Sequence, residues 1–200
     1  MHERKAVPRV GLTSERVVRA GADLADEIGL DAVTLSALAR GFDVKTASLY
    51  SHVSGSASLR EGIAAVALGE LADLAAAALA GRSGKDALAA FATTYRDYAR
   101  AHPGRYAATR IPLPASSPAL EAGRRHAELT RSILRGYAIE DADAVHAVRL
   151  LGSVFHGFAD LELSGGFDHS APSADESWAR ILDVLDATLR QWPAASVTPE

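Results

Sequence analysis

The run from Ala57 to Ala80, ASLREGIAAVALGELADLAAAALA, constrains this chain more than any other stretch. It is built on alanine and leucine with no proline, so helix is the regular structure it favours. More than about 20 residues at about 1.5 Å each give a rod longer than about 30 Å. Leu59, Ile63, Val66, Leu68, Leu71, Leu74 and Leu79 supply its apolar faces. Aromatic residues are only 6% of the chain and alanine is heavily used, a balance that leans to all-α packing. Two hundred residues allow one large domain or two small ones with a sizeable core.

Upstream of the rod, Thr34 to Leu59 reads as two short helices, a tight corner and the start of a third helix. Thr34 precedes Leu35, Leu38 and Ala39 as a side-chain N-cap should. The run stops at Gly41, and Phe42 and Asp43 make the corner. Val44, Ala47 and Tyr50 then recur at helical spacing as an apolar back. The opposite face carries Lys45, Thr46, Ser48, Ser51 and His52, all hydrogen-bond donors. A short helix with a small, donor-rich front suits a DNA major groove. The plain alternative, a helix pair with a solvated polar face, fits the physics of these residues too.

The phrase A-L-A-R-x-x-x-V-K-x-x-S-L-Y-x-H-V, from Ala37 to Val53, resembles the helix-turn-helix of TetR/AcrR-type transcriptional regulators. Ser48-Leu49-Tyr50 followed by His52-Val53 is its most specific part. The resemblance implies a DNA-binding head over residues 1–56, with Thr34, Ser36, Lys45, Thr46, Ser48, Tyr50, Ser51 and His52 as contacts. It also implies an effector-binding and dimerisation part over residues 57–200, joined to the head by the long rod. Two positions depart from the family pattern. Asp43 stands where glycine is usual, although aspartate tolerates left-handed backbone. Ser56 stands where a lysine is usual, which removes a phosphate contact and predicts weaker, less salt-dependent binding.

The rest of the chain fits this frame. Thr13 or Ser14 caps a first helix with Val17, Gly21, Leu24 and Ile28 on one face, stopped by Gly29. Ser54 to Ser56 offers a hydroxyl cap for the rod, and Ser83-x-x-Asp86 resembles a capping box for a helix to Ala101. Ile111-Pro112-Leu113-Pro114 forces an extended link. Ser117-Pro118 starts a helix to about Tyr137, Asp141 starts another to Leu163 with Gly165-Gly166 closing it, and Ser173-x-x-Glu176 caps the last.

Gly152 to Phe167, GSVFHGFADLELSGGF, resembles the WHG-type C-terminal domain of the same family, with Phe155 in place of the tryptophan. There Gly152, His156 and Gly157, with Trp178, Ile181 and Leu185 of the last helix, are the expected interface of a homodimer reading a palindromic operator. A cavity among the middle helices is expected to hold a small-molecule effector, lined by Phe91, Tyr95, Tyr98, Tyr106, Phe155 and Phe158 with Arg110 as a polar anchor.

Other classes are disfavoured. There is no cysteine, hence no disulfide or thiolate metal site, and the histidines show no ligand spacing. No phosphate loop follows a strand and no serine sits in a nucleophile elbow, so neither enzyme chemistry nor a cofactor is expected. The start of the chain has no apolar signal region and no long uncharged run, so a cytoplasmic protein without a membrane span is expected. The net charge of −4 divides into +1 over residues 1–60 and −5 beyond them, a mild bias toward a DNA-facing head. The alternative held open is a helical dimerisation or scaffold protein with degenerate DNA binding.

Overall fold

The computed structural model describes residues 11–193, so the basic arm bearing Arg4, Lys5 and Arg9 lies outside the described residues. Eight α-helices and two 3-10 segments form an all-α fold, with no strand among the described residues. Thr13 Oγ1 accepts the Arg16 N–H at 3.2 Å to open α1 (Ser14–Ile28), and Gly29 closes it at φ 84°. A 3-10 turn (Leu30–Ala32) leads to α2 (Leu35–Gly41), which Thr34 Oγ1 caps through the Ala37 N–H at 3.1 Å. Asp43 lies at φ 53°, with its N–H on the Arg40 carbonyl and the Val44 N–H on the Ala39 carbonyl. That is a Schellman stop, in which aspartate takes the left-handed place that glycine usually fills.

The reading segment, Thr46–Ser51, is a 3-10 turn of six residues rather than an α-helix. Threonine and serine are poor helix formers, and the Ser51 hydroxyl donates to the Ser48 carbonyl at 2.9 Å. Its apolar back is also phased differently from the expected Val44, Ala47 and Tyr50. Leu49 and Val53 are buried, whereas Tyr50 is 58% exposed. Leu49 and Val53, four apart, share the buried side, and the Val53 N–H bonds back to the Leu49 carbonyl at 3.0 Å.

Five further α-helices follow: α3 (Ser56–Leu79), α4 (Gly84–Ala101), α5 (Pro103–Ala108), α6 (Ala119–Arg135) and α7 (Asp141–Leu163); α8 (Ala174–Arg190) ends the described fold. The predicted serine cap of α3 is absent, because Gly55 at φ 139° occupies the cap. Ser83 likewise makes no side-chain cap bond, so the box expected at α4 does not form. Ser117 Oγ accepts the Ala119 N–H at 3.2 Å, and α6 begins one residue after Pro118. The Ser173–Glu176 capping box is complete, and Gly165 at φ 75° ends α7 in a second Schellman stop.

Two cores and a smaller junction organise the packing. The head core joins Val17, Leu35, Leu38, Leu49 and Val53 to Leu59, Ile63 and Ala64 at the start of α3, and takes Ala108 from α5. The body core gathers Leu88, Phe91, Leu134, Leu151, Phe155, Trp178 and Leu185 with Ala75 near the end of α3. Between them Leu71, Tyr98, Ala99, Tyr106 and Ala159 form the junction. Helix α3 therefore runs through all three clusters. By length and composition alone it could cross a membrane, its apolar window having a mean hydropathy of 1.7 despite the charges within it. Helices α1, α4, α5 and α6 pack against it, and 33% of its apolar window is buried. Leu74, one of the residues expected to supply its apolar faces, is 49% exposed.

Candidate functional site

Three connected features make up the site: an exposed reading surface, a cavity in the body, and a short helix between them. On the head, Ser36, Lys45, Ser48, Tyr50 and Ser51 are exposed and Thr46 and His52 half-buried. Thr34 is exposed too, but its hydroxyl is engaged in capping α2. Lys45 has no carboxylate within ion-pair distance among the described residues, so its charge faces solvent. Leu49 anchors the segment from behind, at 0% exposure. A rigid back with an exposed Tyr50, Lys45 and hydroxyl front can meet phosphates and base edges.

The cavity lies between α4, α6 and α7, with a volume of about 220 Å³. Phe91 and Tyr95 of α4, His126 and Thr130 of α6, and Phe155 and His156 of α7 form its main walls. No carboxylate, lysine or arginine lines it. The rings lock one another: Tyr95 and His126 centroids are 5.0 Å apart, and Phe91 meets His126 edge-on at 6.0 Å. Tyr95 Oη lies 3.0 Å from His126 Nδ1. Desolvation by burial holds His126 down to about 4, with His156 and Arg125 adding repulsion. Burial lowers His156 as well, with the Arg110 guanidinium reinforcing it. Both histidines are thus neutral at ordinary pH.

Helix α5 touches cavity and head at once. Tyr106 is 1% exposed, and its hydroxyl lies 2.6 Å from Nδ1 of the cavity residue His156. Two residues earlier, Gly104 presses on α1. A Cβ there would sit 2.0 Å from the Ala25 carbonyl oxygen and 2.6 Å from the Asp26 nitrogen. Asp26 accepts the Arg105 backbone N–H at 2.8 Å and its guanidinium at 2.9 Å, and lies 2.9 Å from His102 Nδ1. Arg105 also pairs with Asp23, and the Tyr98 hydroxyl donates to Glu70 of α3 at 2.9 Å. These carboxylates are held by charge-assisted bonds, the stronger class of hydrogen bond.

Of the expected cavity residues, Phe91, Tyr95 and Phe155 line the space. Tyr98 and Tyr106 belong to the junction instead. Arg110 is ion-paired to Asp160 and lies over the Tyr106 ring, while Phe158 packs on Trp178 at 4.7 Å under Arg96. His126, Thr130 and Val148 were not anticipated. They sit at helical spacing from apolar neighbours, and only the fold reveals which way they face. Of the expected interface residues, Trp178 and Leu185 are buried in the chain's own core, and Gly152 and His156 line the cavity. Gly157 is exposed and Ile181 half-buried. They share the outward sides of α7 and α8 with Ser153, Leu161 and Val184.

Residues 88–185 match a family described as tetracyclin repressor-like, C-terminal domain. The chain is 33% identical over 181 residues to the HTH-type transcriptional regulator YobS of Bacillus subtilis, covering 90% of this chain and 88% of that protein. It belongs to the TetR family of transcriptional regulators. As a member it is a DNA-binding regulator, and the helix-turn-helix resemblance of Ala37 to Val53 is accounted for. Solved structures share the fold. A Rhodococcus sp. RHA1 protein of unknown function superposes with a TM-score of 0.76 at 26% identity, covering 93% of this chain and 100% of that one. A TetR variant from Acinetobacter baumannii AYE in complex with minocycline gives 0.71 at 20% identity, with 92% and 100% covered.

Proposed function

We propose that this regulator is a homodimeric repressor that binds a palindromic operator and is released when a small molecule occupies the cavity between α4, α6 and α7. The observation that carries the reading is the hydrogen bond from Tyr106 of α5 to His156 of the cavity wall, on a helix whose Gly104 is pressed against α1. A ligand that displaces His156 moves Tyr106, and with it the contact on which the head rests. Such a shift requires the ligand to bind the released arrangement more tightly than the DNA-bound one.

Dimerisation pairs the outward faces of α7 and α8 with those of a second copy as a four-helix bundle. Ser153 and Gly157 allow close approach, and Leu161, Ile181 and Val184 provide apolar contact. Two-fold symmetry then sets two heads on successive major grooves of a palindrome. In the head, Tyr50, Lys45, Ser36, Thr46, Ser48, Ser51 and His52 make the contacts. The division of labour falls near residue 56, with α3 shared by both parts, and the protein acts in the cytoplasm.

Fluorescence anisotropy against the DNA flanking the protein's own gene is the test. Sequence-selective binding that weakens with salt is expected, and Tyr50→Ala or Lys45→Ala weakens it while leaving the dimer intact. No selective binding at any salt concentration would refute the repressor reading and favour a scaffold with a degenerate head. Loss of the dimer in those variants would show that the residues are structural.

A further inference from the structure

We propose that Arg96 is the positioning residue of the dimer: from inside the subunit it fixes the spacing of α7 and α8, and through them the spacing of the two heads. This rests on the reading above, in which the outward faces of those two helices pair with a second copy.

The two helices need such a device, because α7 and α8 each pack on α4 more than on each other. Their ring contacts, Phe155 to Trp178 at 5.9 Å and Phe158 to Trp178 at 4.7 Å, both run through one indole. That indole belongs to a residue 4% exposed, and its Nε1 is buried with no hydrogen-bond partner among the described residues. No directional bond of its own therefore fixes its place.

Arg96 of α4 supplies the direction. Its guanidinium lies over Phe158 at 5.3 Å and over Trp178 at 5.7 Å. Nε donates to Glu162 Oε2 of α7 at 2.8 Å while Nη2 donates to the other carboxylate oxygen, a two-pronged bond that a lysine cannot make. Nη2 also donates, at 2.7 Å, to Asp175 Oδ1 in the first turn of α8. One planar group of fixed shape thus ties the end of α7 to the start of α8. On the same stretches, Leu161 of the outward side precedes Glu162, and Ile181 lies about one turn beyond Trp178. Fixing the inner sides sets the outer ones before a partner arrives, which removes an ordering cost from association.

Sedimentation equilibrium of the full chain, with the distance between spin labels at Ser54→Cys, tests this. The chain has no cysteine of its own and Ser54 is exposed in the head, so each dimer carries one pair of labels. The wild type is expected to dimerise with one narrow label distance. Arg96→Met/Glu162→Ala removes the bridge and strands no buried charge, so its subunit keeps native helicity and melts near the wild type. Its dimer is expected to dissociate about tenfold or more readily, with a broadened label distance. Asp175→Ala frees only α8, at an exposed position, and is expected to move both readings the same way, several-fold in dissociation. Leu38→Ala, in a head core that takes no residue from α7 or α8, is expected to melt well below the wild type and to keep its dissociation constant. Wild-type dissociation and label distance in both bridge variants would overturn the proposal and leave the dimer reading standing. Equal weakening in Leu38→Ala would overturn it too, since lost stability alone would then explain the effect. A wild type that stays monomeric at every concentration would overturn the dimer reading and the proposal with it.

Discussion

Gly104→Ala tests whether α5 rests on α1 as closely as described. The new Cβ would lie 2.0 Å from the Ala25 carbonyl oxygen, whereas ordinary contact begins near 3.4 Å, so α5 must back away by about 1.4 Å. The obstacle is backbone on both sides, and no side-chain rotation can absorb it. The Arg105 N–H, now 2.8 Å from Asp26 Oδ1, would be carried out of hydrogen-bonding range. Losing that charge-assisted bond costs about 1.5–3 kcal/mol, and the residual strain about 1–3 kcal/mol more. A total of about 2.5–6 kcal/mol lowers the melting temperature by about 5–24 °C in a chain of this length. Gly69→Ala is the matched control: its Cβ meets nothing within 4 Å, and alanine is the better helix former by about 0.5–1 kcal/mol. Calorimetry of both variants should show one melting well below the wild type and the other at or slightly above it. A Gly104→Ala protein that melts within a degree of wild type would refute the close approach and the coupling built on it.

Three further outcomes follow from other parts of the molecule. Ala138 ends α6 at φ 57° in an exposed left-handed position, so Ala138→Gly should stabilise the protein by about 0.5–1 kcal/mol in chemical denaturation, and a loss would contradict the strain. His126 is held near 4 in the folded chain and titrates near 6.5 when unfolded, so the unfolded state binds the extra proton between those values. Stability should therefore be complete above about pH 6.5 and fall by up to about 3 kcal/mol as pH drops toward 4, and His126→Gln should flatten that part of the curve. Arg96 is buried at 7% side-chain exposure, with Glu162 at 2.8 Å and Asp175 at 2.7 Å. Glu162→Ala, which leaves the guanidinium only the exposed Asp175, should cost about 3 kcal/mol and more than the paired Arg96→Met/Glu162→Ala change, which leaves neither buried charge alone; the reverse order in thermal melts would contradict this.

The all-α class, most helix starts and the helix-turn-helix were legible because they rest on local signals. Thr13, Thr34 and Ser173 act on N–H groups three residues away, and the Gly29 and Gly165 stops need only one positive φ. The cap at Ser56 failed because Gly55 takes the N-cap place, whereas Ser83 holds the N-cap place of α4 and makes no side-chain bond there. In the segment Thr46–Ser51 the stripe of Val44, Ala47 and Tyr50 is not the inward side: Leu49 and Val53 are buried and Tyr50 is outside. Cavity residues were only partly legible. Phe91, Tyr95 and Phe155 are aromatic wherever they point, but His126 becomes distinctive only beside Tyr95, 31 positions away. The contact of Gly104 with Ala25 spans α1 to α5, and a proline-glycine pair reads in sequence as a helix stop and nothing more.

The central claim is that the cavity speaks to the head through Tyr106. Its most direct measurement is operator affinity with the cavity empty and occupied, in wild type and in Tyr106→Phe. Coupling between two such sites is commonly about 5–150-fold, and it is reciprocal. In wild type, occupancy should weaken DNA binding by a factor in that range, and DNA should weaken ligand binding by the same factor. In Tyr106→Phe, where the bond to His156 is gone, both factors should collapse toward one while DNA binding without ligand persists. A Tyr106→Phe protein that keeps the full wild-type factor would contradict the account.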